Sequence, residues 1–219
     1  MNKSIVIPQM KNIRYLIILL VSSVIVLSFS SYKKVVKTKF TVILDAGHGG
    51  NDFGSKSDWI SEKDINLKIV QELRSLDKNP NIQLVYTRLN EQDISISERA
   101  EMVAMNHADL LISIHSNFSE QLSIPQDFKI LVSKDSSDVK SKKYANILAE
   151  SIKKMSLQTK VNFMESPTLL LKKSGVPSLM IELRIRETEA DIKTQTNSKA
   201  IKKIAKSIYS GIEAIQNDH

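Results

Sequence analysis

The sequence predicts an α/β fold, a sandwich of helices around a mostly parallel sheet. Three observations carry this. Apolar strand-like runs alternate with amphipathic helical periods through most of the chain. The run Thr41-Val-Ile-Leu44 stops at Asp45 and hands over to Gly47-His48-Gly49-Gly50, which cannot continue a strand. A second run, Ala108 to His115, also closes on a histidine, and ligands of such sheets sit outside the carboxyl ends of the strands.

Taken in order, residues 51–61 read as a polar loop, with Trp59 and Ile60 packing at its end. Ser61 reads as the N-cap of a helix carrying Ile65, Ile69, Leu73 and Leu76 at helical spacing, which Asn79-Pro80-Asn81 ends. A strand over 82–87 follows, then residues 93–97 lead into a helix with Ile96, Ala100, Val103 and Ala104 facing inward. Residues 116–126 read as loop, 128–132 as a fourth strand, and 137–155 as a helix with Ile147, Leu148, Ile152 and Met155 on one side. A turn at 172–177 precedes the last strand, Ser178 to Leu183. The closing helix, about 197–216, buries Ile201, Ile204, Ile208, Ile212 and Ile215.

The net charge of +7 suggests nucleic acid until it is located. Seven of the 31 basic residues lie in residues 1–39, which hold no acidic residue. The remaining 24 basic residues match 24 acidic ones, so residues 40–219 lack the surplus that phosphate binding needs, and no nucleic-acid partner is expected. Residues 15–29 are a mostly apolar stretch behind a basic start, matching the core of a signal peptide and falling short of the ~20 residues of a spanning helix. The expected division is therefore 1–39, signal peptide or signal anchor plus basic linker, and 40–219, catalytic domain. Both cleavage after Ser30 and membrane anchoring through 15–29 stay open. The expected location is exported, in the periplasm or cell envelope. With no cysteine in the chain, lipoprotein attachment is excluded.

Two imidazoles, a carboxylate and an open position make a catalytic zinc site. His48 and His115 are the imidazole candidates, because both follow apolar strands among small neighbours. His107, at a helix end, and the terminal His219 are set aside. Asp45, Asp52, Glu62 and Glu182 are the carboxylate candidates. Asp45 is better placed to orient His48 than to bind a metal beside it. Glu62, in the first turn of a helix, is equally explained by the helix dipole. Glu182 interrupts an otherwise apolar strand, where an unpaired carboxylate is costly; the alternative is an outward-facing residue on an edge strand.

Five stretches, VILDAGHGGNDFGS (42–55), SEKDINL (61–67), YTR (86–88), SISERAEMVAMNHADLLISIHSN (95–117) and VPSLMIEL (176–183), stand in one order. With them the chain resembles the zinc-dependent N-acetylmuramoyl-L-alanine amidases of the amidase type 3 family, which are cell-wall hydrolases. The resemblance implies a three-layer α/β/α sandwich with a six-stranded sheet. It implies Zn2+ on His48, Glu62 and His115, and Glu182 as the catalytic carboxylate. It implies peptidoglycan as substrate, cut between the lactyl group of N-acetylmuramic acid and L-alanine. Asn117 and Arg184 are the substrate-binding candidates, and a protein activator stays open. Where the family carries Gly-Phe-x-Ser-Asn after its last glutamate, this chain has Leu183-Arg-Ile-Arg-Glu187. A non-catalytic peptidoglycan binder and a zinc peptidase of the stem peptide are the rival expectations.

Overall fold

The structure is a computed structural model describing residues 39–122, 126–134, 139–156 and 159–219. The expected signal or anchor segment, residues 1–38, lies outside the described residues. Among those described, no helix is long and apolar enough to cross a membrane.

Six strands form one sheet: β1 Phe40–Ala46, β2 Ile82–Tyr86, β3 Leu110–Ser119, β4 Gln126–Ser133, β5 Lys160–Ser166 and β6 Ser178–Arg186, in the order β2-β1-β3-β6-β4-β5. All neighbours are parallel except β4 and β6, which run antiparallel. The helices are α1 Glu62–Leu76, α2 Ile96–Met105, α3 Val139–Lys153, α4 Leu169–Lys173, α5 Glu189–Gln195 and α6 Ser198–Asp218. The expected α/β sandwich around a mostly parallel six-stranded sheet is what the chain forms.

Side chains of one sheet face, such as Val42, Leu44, Ile112, Ile114 and Ile181, join α1, α3 and α6 in the main core. Ile201, Ile204, Ile208, Ile212 and Ile215 of α6 all lie in that core, as their spacing demands. Burying each such side chain contributes about 1.5–3 kcal/mol. On the other face, Ile43 and Leu111 pack beneath Val103 and Leu170, and Leu131 and Met180 beneath Leu171. Side chains alternate along a strand. Two residues further on, the same face therefore becomes polar. Leu111 gives way to Ser113, His115 and Asn117; Met180 to Glu182 and Arg184; Leu131 to Lys129 and Asp127. This second face carries the candidate site.

Several elements depart from the sequence expectation. β3 runs on through Ser119, so Ser116 and Asn117 are strand residues, and the predicted loop 116–126 shrinks accordingly. In α2 Val103 is buried, whereas Ile96 is 45% exposed and Ala104 is exposed; Arg99 takes the inward place because its guanidinium has buried acceptors to satisfy. Ile60 packs against the core, but Trp59 is 48% exposed. The predicted helix start at Ser137 lies outside the described residues.

Candidate metal centre

The site begins with how the chain leaves β1. Asp45 is buried and accepts hydrogen bonds from Thr87 Oγ1 (2.8 Å) and Ser113 Oγ (2.6 Å), and it pairs with Arg99. Arg99 also donates to the carbonyls of Ala46 and His48, while Arg88 donates to those of Ala46, Gly47 and Lys63. Asn66 donates to the Gly47 carbonyl at 3.2 Å. Three side chains thus hold the carbonyls of the turn. That cage supports an unusual backbone, since His48 itself has φ +61°, a region non-glycine residues enter at a cost of about 1 kcal/mol or more. Gly47 is required by contact, because a Cβ there would stand 2.5 Å from the His115 ring.

His48 Nδ1 bonds Asp52 Oδ2 at 2.7 Å, which leaves Nε2 turned toward Glu62 Oε1 at 3.2 Å. His115, halfway along β3, brings Nδ1 to the same oxygen at 2.8 Å. The two rings stand edge to face with centroids 4.9 Å apart. Glu62, the first residue of α1, is held by backbone amides: Ser116 N–H donates to Oε1 (3.1 Å) and Ser55 N–H to Oε2 (2.8 Å). Gly54 packs against this pair, and a Cβ there would fall 2.5 Å from Glu62 Oε2.

The donor set fits zinc. Ligand atoms of His48, Glu62 and His115 all lie within 4.8 Å of one another. Bonds of about 2.0–2.2 Å at tetrahedral angles separate ligand atoms by about 3.3–3.5 Å. The observed separations of 2.8 and 3.2 Å are close to that, slightly drawn in by hydrogen bonding. Electrostatics agree with a cation-seeking site. Burial pushes the Glu62 carboxyl up, but hydrogen bonds from His115 and His48 outweigh it and hold the group well below the usual carboxylate range. The Glu62 carboxylate in turn raises His48, against a smaller lowering by burial. Two imidazoles on one carboxylate are a place for positive charge.

Glu182 faces His115 in the parallel β3–β6 register, on the same side of the sheet. β6 lies between β3 and β4, so the edge-strand explanation of Glu182 is overturned. Its Oε1 stands 3.0 Å from Lys129 Nζ on β4. Asn117, exposed, follows His115 on this face and pairs in register with Arg184. Arg184 already engages Asp127 (3.2 Å), and Arg186 engages Asp191 (3.1 Å), so the atypical segment after Glu182 is tied into the sheet.

One assignment needs correction, and one residue escaped the sequence reading. Asp45, expected to orient His48, reaches that residue only through Arg99 and its backbone carbonyl; Asp52 holds the ring. The sequence did offer a signal, since Asp52 is the only acid within four residues after His48. Lys129 was not anticipated at all. A lysine between Phe128 and Ile130 in an apolar strand is the same anomaly as Glu182, and pairing the two would have found it. His107 and His219 stay out of the site; His219 meets Tyr144 (3.1 Å) and the Phe40 ring instead.

Comparison with known proteins agrees with this geometry. Residues 42–214 match the profile of the amidase type 3 family, described as N-acetylmuramoyl-L-alanine amidase. The uncharacterized protein YqiI of Bacillus subtilis is 28% identical over 175 residues, covering 80% of this chain and 84% of its own. The probable N-acetylmuramoyl-L-alanine amidase AmiB of Haemophilus influenzae is 39% identical over 98 residues, covering 43% of this chain but only 23% of its own. Among solved structures, the CwlD amidase of Clostridioides difficile, in complex with the GerS lipoprotein, superposes with a TM-score of 0.70 at 29% identity, covering 83% of this chain and 100% of that one. The profile spans the strands and helix that carry His48, Glu62, His115 and Glu182, and this chain belongs to the N-acetylmuramoyl-L-alanine amidase family.

Proposed function

We propose that this chain is an exported, zinc-dependent amidase of the cell envelope. It hydrolyses the amide between the lactyl group of N-acetylmuramic acid and L-alanine in peptidoglycan, releasing stem peptides. The observation that carries this reading is the convergence of His48, Glu62 and His115 next to Glu182. Zinc, when bound, supplies a Lewis acid for the scissile carbonyl and lowers the pKa of a coordinated water to about 7.

The chain's own residues do the rest. Asp52 fixes the tautomer of His48 by engaging Nδ1, so that Nε2 faces the ligand position. Ser55 and Ser116 amides fix both oxygens of Glu62. Glu182 takes the proton of the attacking water and returns it to the leaving nitrogen of L-alanine. Lys129 stands 3.0 Å from that carboxylate and holds it in place on the sheet face. Asn117 and Arg184, further along the same face, are placed to meet the stem peptide; Arg184 would do so by sharing itself with Asp127. The CwlD complex with a lipoprotein supports a protein partner for this chain as well.

Zymography on peptidoglycan, with and without a chelator, tests the reading. Clearing that disappears with chelator and returns with zinc is expected. Clearing indifferent to chelator, or fragments by mass spectrometry that end within the stem peptide, would sink it.

A further inference from the structure

The loop that joins His48 to Glu62 shows two exposed aromatic side chains, Phe53 at 44% and Trp59 at 48%. Phe53 is already engaged, with the ammonium groups of Lys63 and Lys56 at 4.0 and 5.0 Å from its ring centroid. Trp59 is not. Its indole N–H makes no hydrogen bond among the described residues, and it is the chain's single tryptophan. A large aromatic left in water forgoes about 1.5–3 kcal/mol of burial, which a ligand stacked on it would recover.

The loop fixes the backbone that carries Trp59. Ser57 N–H and Oγ donate to the Ile60 carbonyl at 3.1 and 2.9 Å, and the amides of Trp59 and Ile60 donate back to Ser57 Oγ at 3.4 and 3.2 Å. Below this turn, Lys56 bridges to Ser61, and Ser55 and Glu62 exchange hydrogen bonds, one of them to the carboxylate of the candidate metal ligand. Trp59 stands three residues before Glu62. Successive Cα atoms are about 3.8 Å apart, which caps the Cα separation of Trp59 and Glu62 at about 11 Å. The main chain that carries the indole is therefore tied to the residue that carries the Glu62 carboxylate.

We infer that Trp59 is a saccharide subsite, stacking its indole on a pyranose ring of the glycan strand whose stem peptide is being cut. This rests on the amidase reading and adds to it where the sugar chain lies. The scissile amide hangs directly from a sugar, so neighbouring rings of the strand must run within a short distance of the metal. The C–H face of a pyranose suits an aromatic face, and the free indole N–H suits a ring hydroxyl. The loop carries one acid, Asp58, and one base, Lys56, between Gly54 and Glu62, so it offers no net charge for a carboxylate-rich peptide or an anionic lipid surface.

Because the chain has one tryptophan, its fluorescence reports the site directly. The protein as the full chain, with the Glu182→Gln change to prevent turnover, is titrated with glycan strands stripped of stem peptides. A saturable spectral shift is expected, with none from free stem peptide and none from anionic phospholipid vesicles. In the parent protein, stripped strands should inhibit stem-peptide release, and Trp59→Ala should weaken that inhibition about five- to tenfold, with zinc content and melting temperature unchanged. Trp59→Phe should recover most of it. A shift given only by peptide or vesicles, or equal inhibition of the parent and Trp59→Ala, would overturn the inference while leaving the amidase reading intact. A shift with glycan in a parent that releases no stem peptide would instead overturn the amidase reading alone.

Discussion

Glu182 and Lys129 face each other across the antiparallel β4–β6 pair, and their charged groups meet at 3.0 Å. Both side chains are largely covered, at 19% and 25% exposure, so each would be costly alone. Lys129→Met should destabilise the fold by about 1–3 kcal/mol in chemical denaturation, and Lys129→Arg should restore most of it. Adding Glu182→Gln to Lys129→Met should recover stability relative to the sum of the single changes, because the second change removes the orphaned charge. Additive losses in that cycle would mean that the two groups do not interact.

Glu182 itself should be dispensable for folding and indispensable for turnover. Glu182→Gln keeps the volume and loses the base. Stem-peptide release should fall about 10²–10⁴-fold with zinc stoichiometry close to the parent, while the unpaired Lys129 charge lowers stability by no more than about 1–3 kcal/mol and the protein still folds. Release at the parent's rate from purified sacculi would remove Glu182 from the reaction.

Asp45 and Asp52 separate two roles that the sequence alone joined. Asp52 touches His48 through Nδ1, so Asp52→Ala should weaken zinc about 10–100-fold in a competitive chelator titration, with little effect on the metal-free fold. Asp45 is buried against Thr87, Ser113 and Arg99 and touches no candidate ligand side chain among the described residues. Asp45→Ala leaves the Arg99 charge uncompensated, and it should cost about 3–5 kcal/mol in urea denaturation. The reverse pattern would restore Asp45 as the partner of the histidine.

How much of this was legible follows from where each signal lives. The core-facing elements announced themselves: the 41–44 run, the Ser61 boundary and the isoleucine ladder of α6 are periodic because burial makes them so. β5 was not legible, since Lys160 to Ser166 is an edge strand with Phe163 and Met164 half exposed, and nothing forces its residues to alternate. The outer half of β3 was read as loop because its polar residues serve the site rather than the core. The histidines were visible as anomalies, His48 just beyond a strand and His115 at the end of the apolar run of β3. Glu62 was not, because an acid in a first helical turn has an ordinary explanation, and only its two backbone donors and two imidazole neighbours distinguish it.

The pH dependence of metal binding should follow His48. In the metal-free protein its pKa is raised, chiefly by the hydrogen bond to Glu62, while Glu62 stays ionised well below the usual carboxylate range. The stabilisation that His48 gains as an imidazolium is full below the ordinary histidine value of about 6.5 and is lost as pH rises through its raised value. Glu62 works in the opposite sense: its contribution is present above the ordinary carboxylate range and is lost as pH falls through its lowered value. Zinc needs the neutral imidazole, so binding expels the His48 proton whenever it is present. Apparent zinc affinity should therefore fall by up to about tenfold for each pH unit below the His48 value, and the zinc-induced rise in melting temperature should be larger at pH 8 than at pH 6. His48→Gln, which has no proton to expel, should bind zinc weakly and lose this pH dependence over the same range. A zinc-induced shift equal at both pH values in the parent would show that His48 is not protonated in the metal-free site.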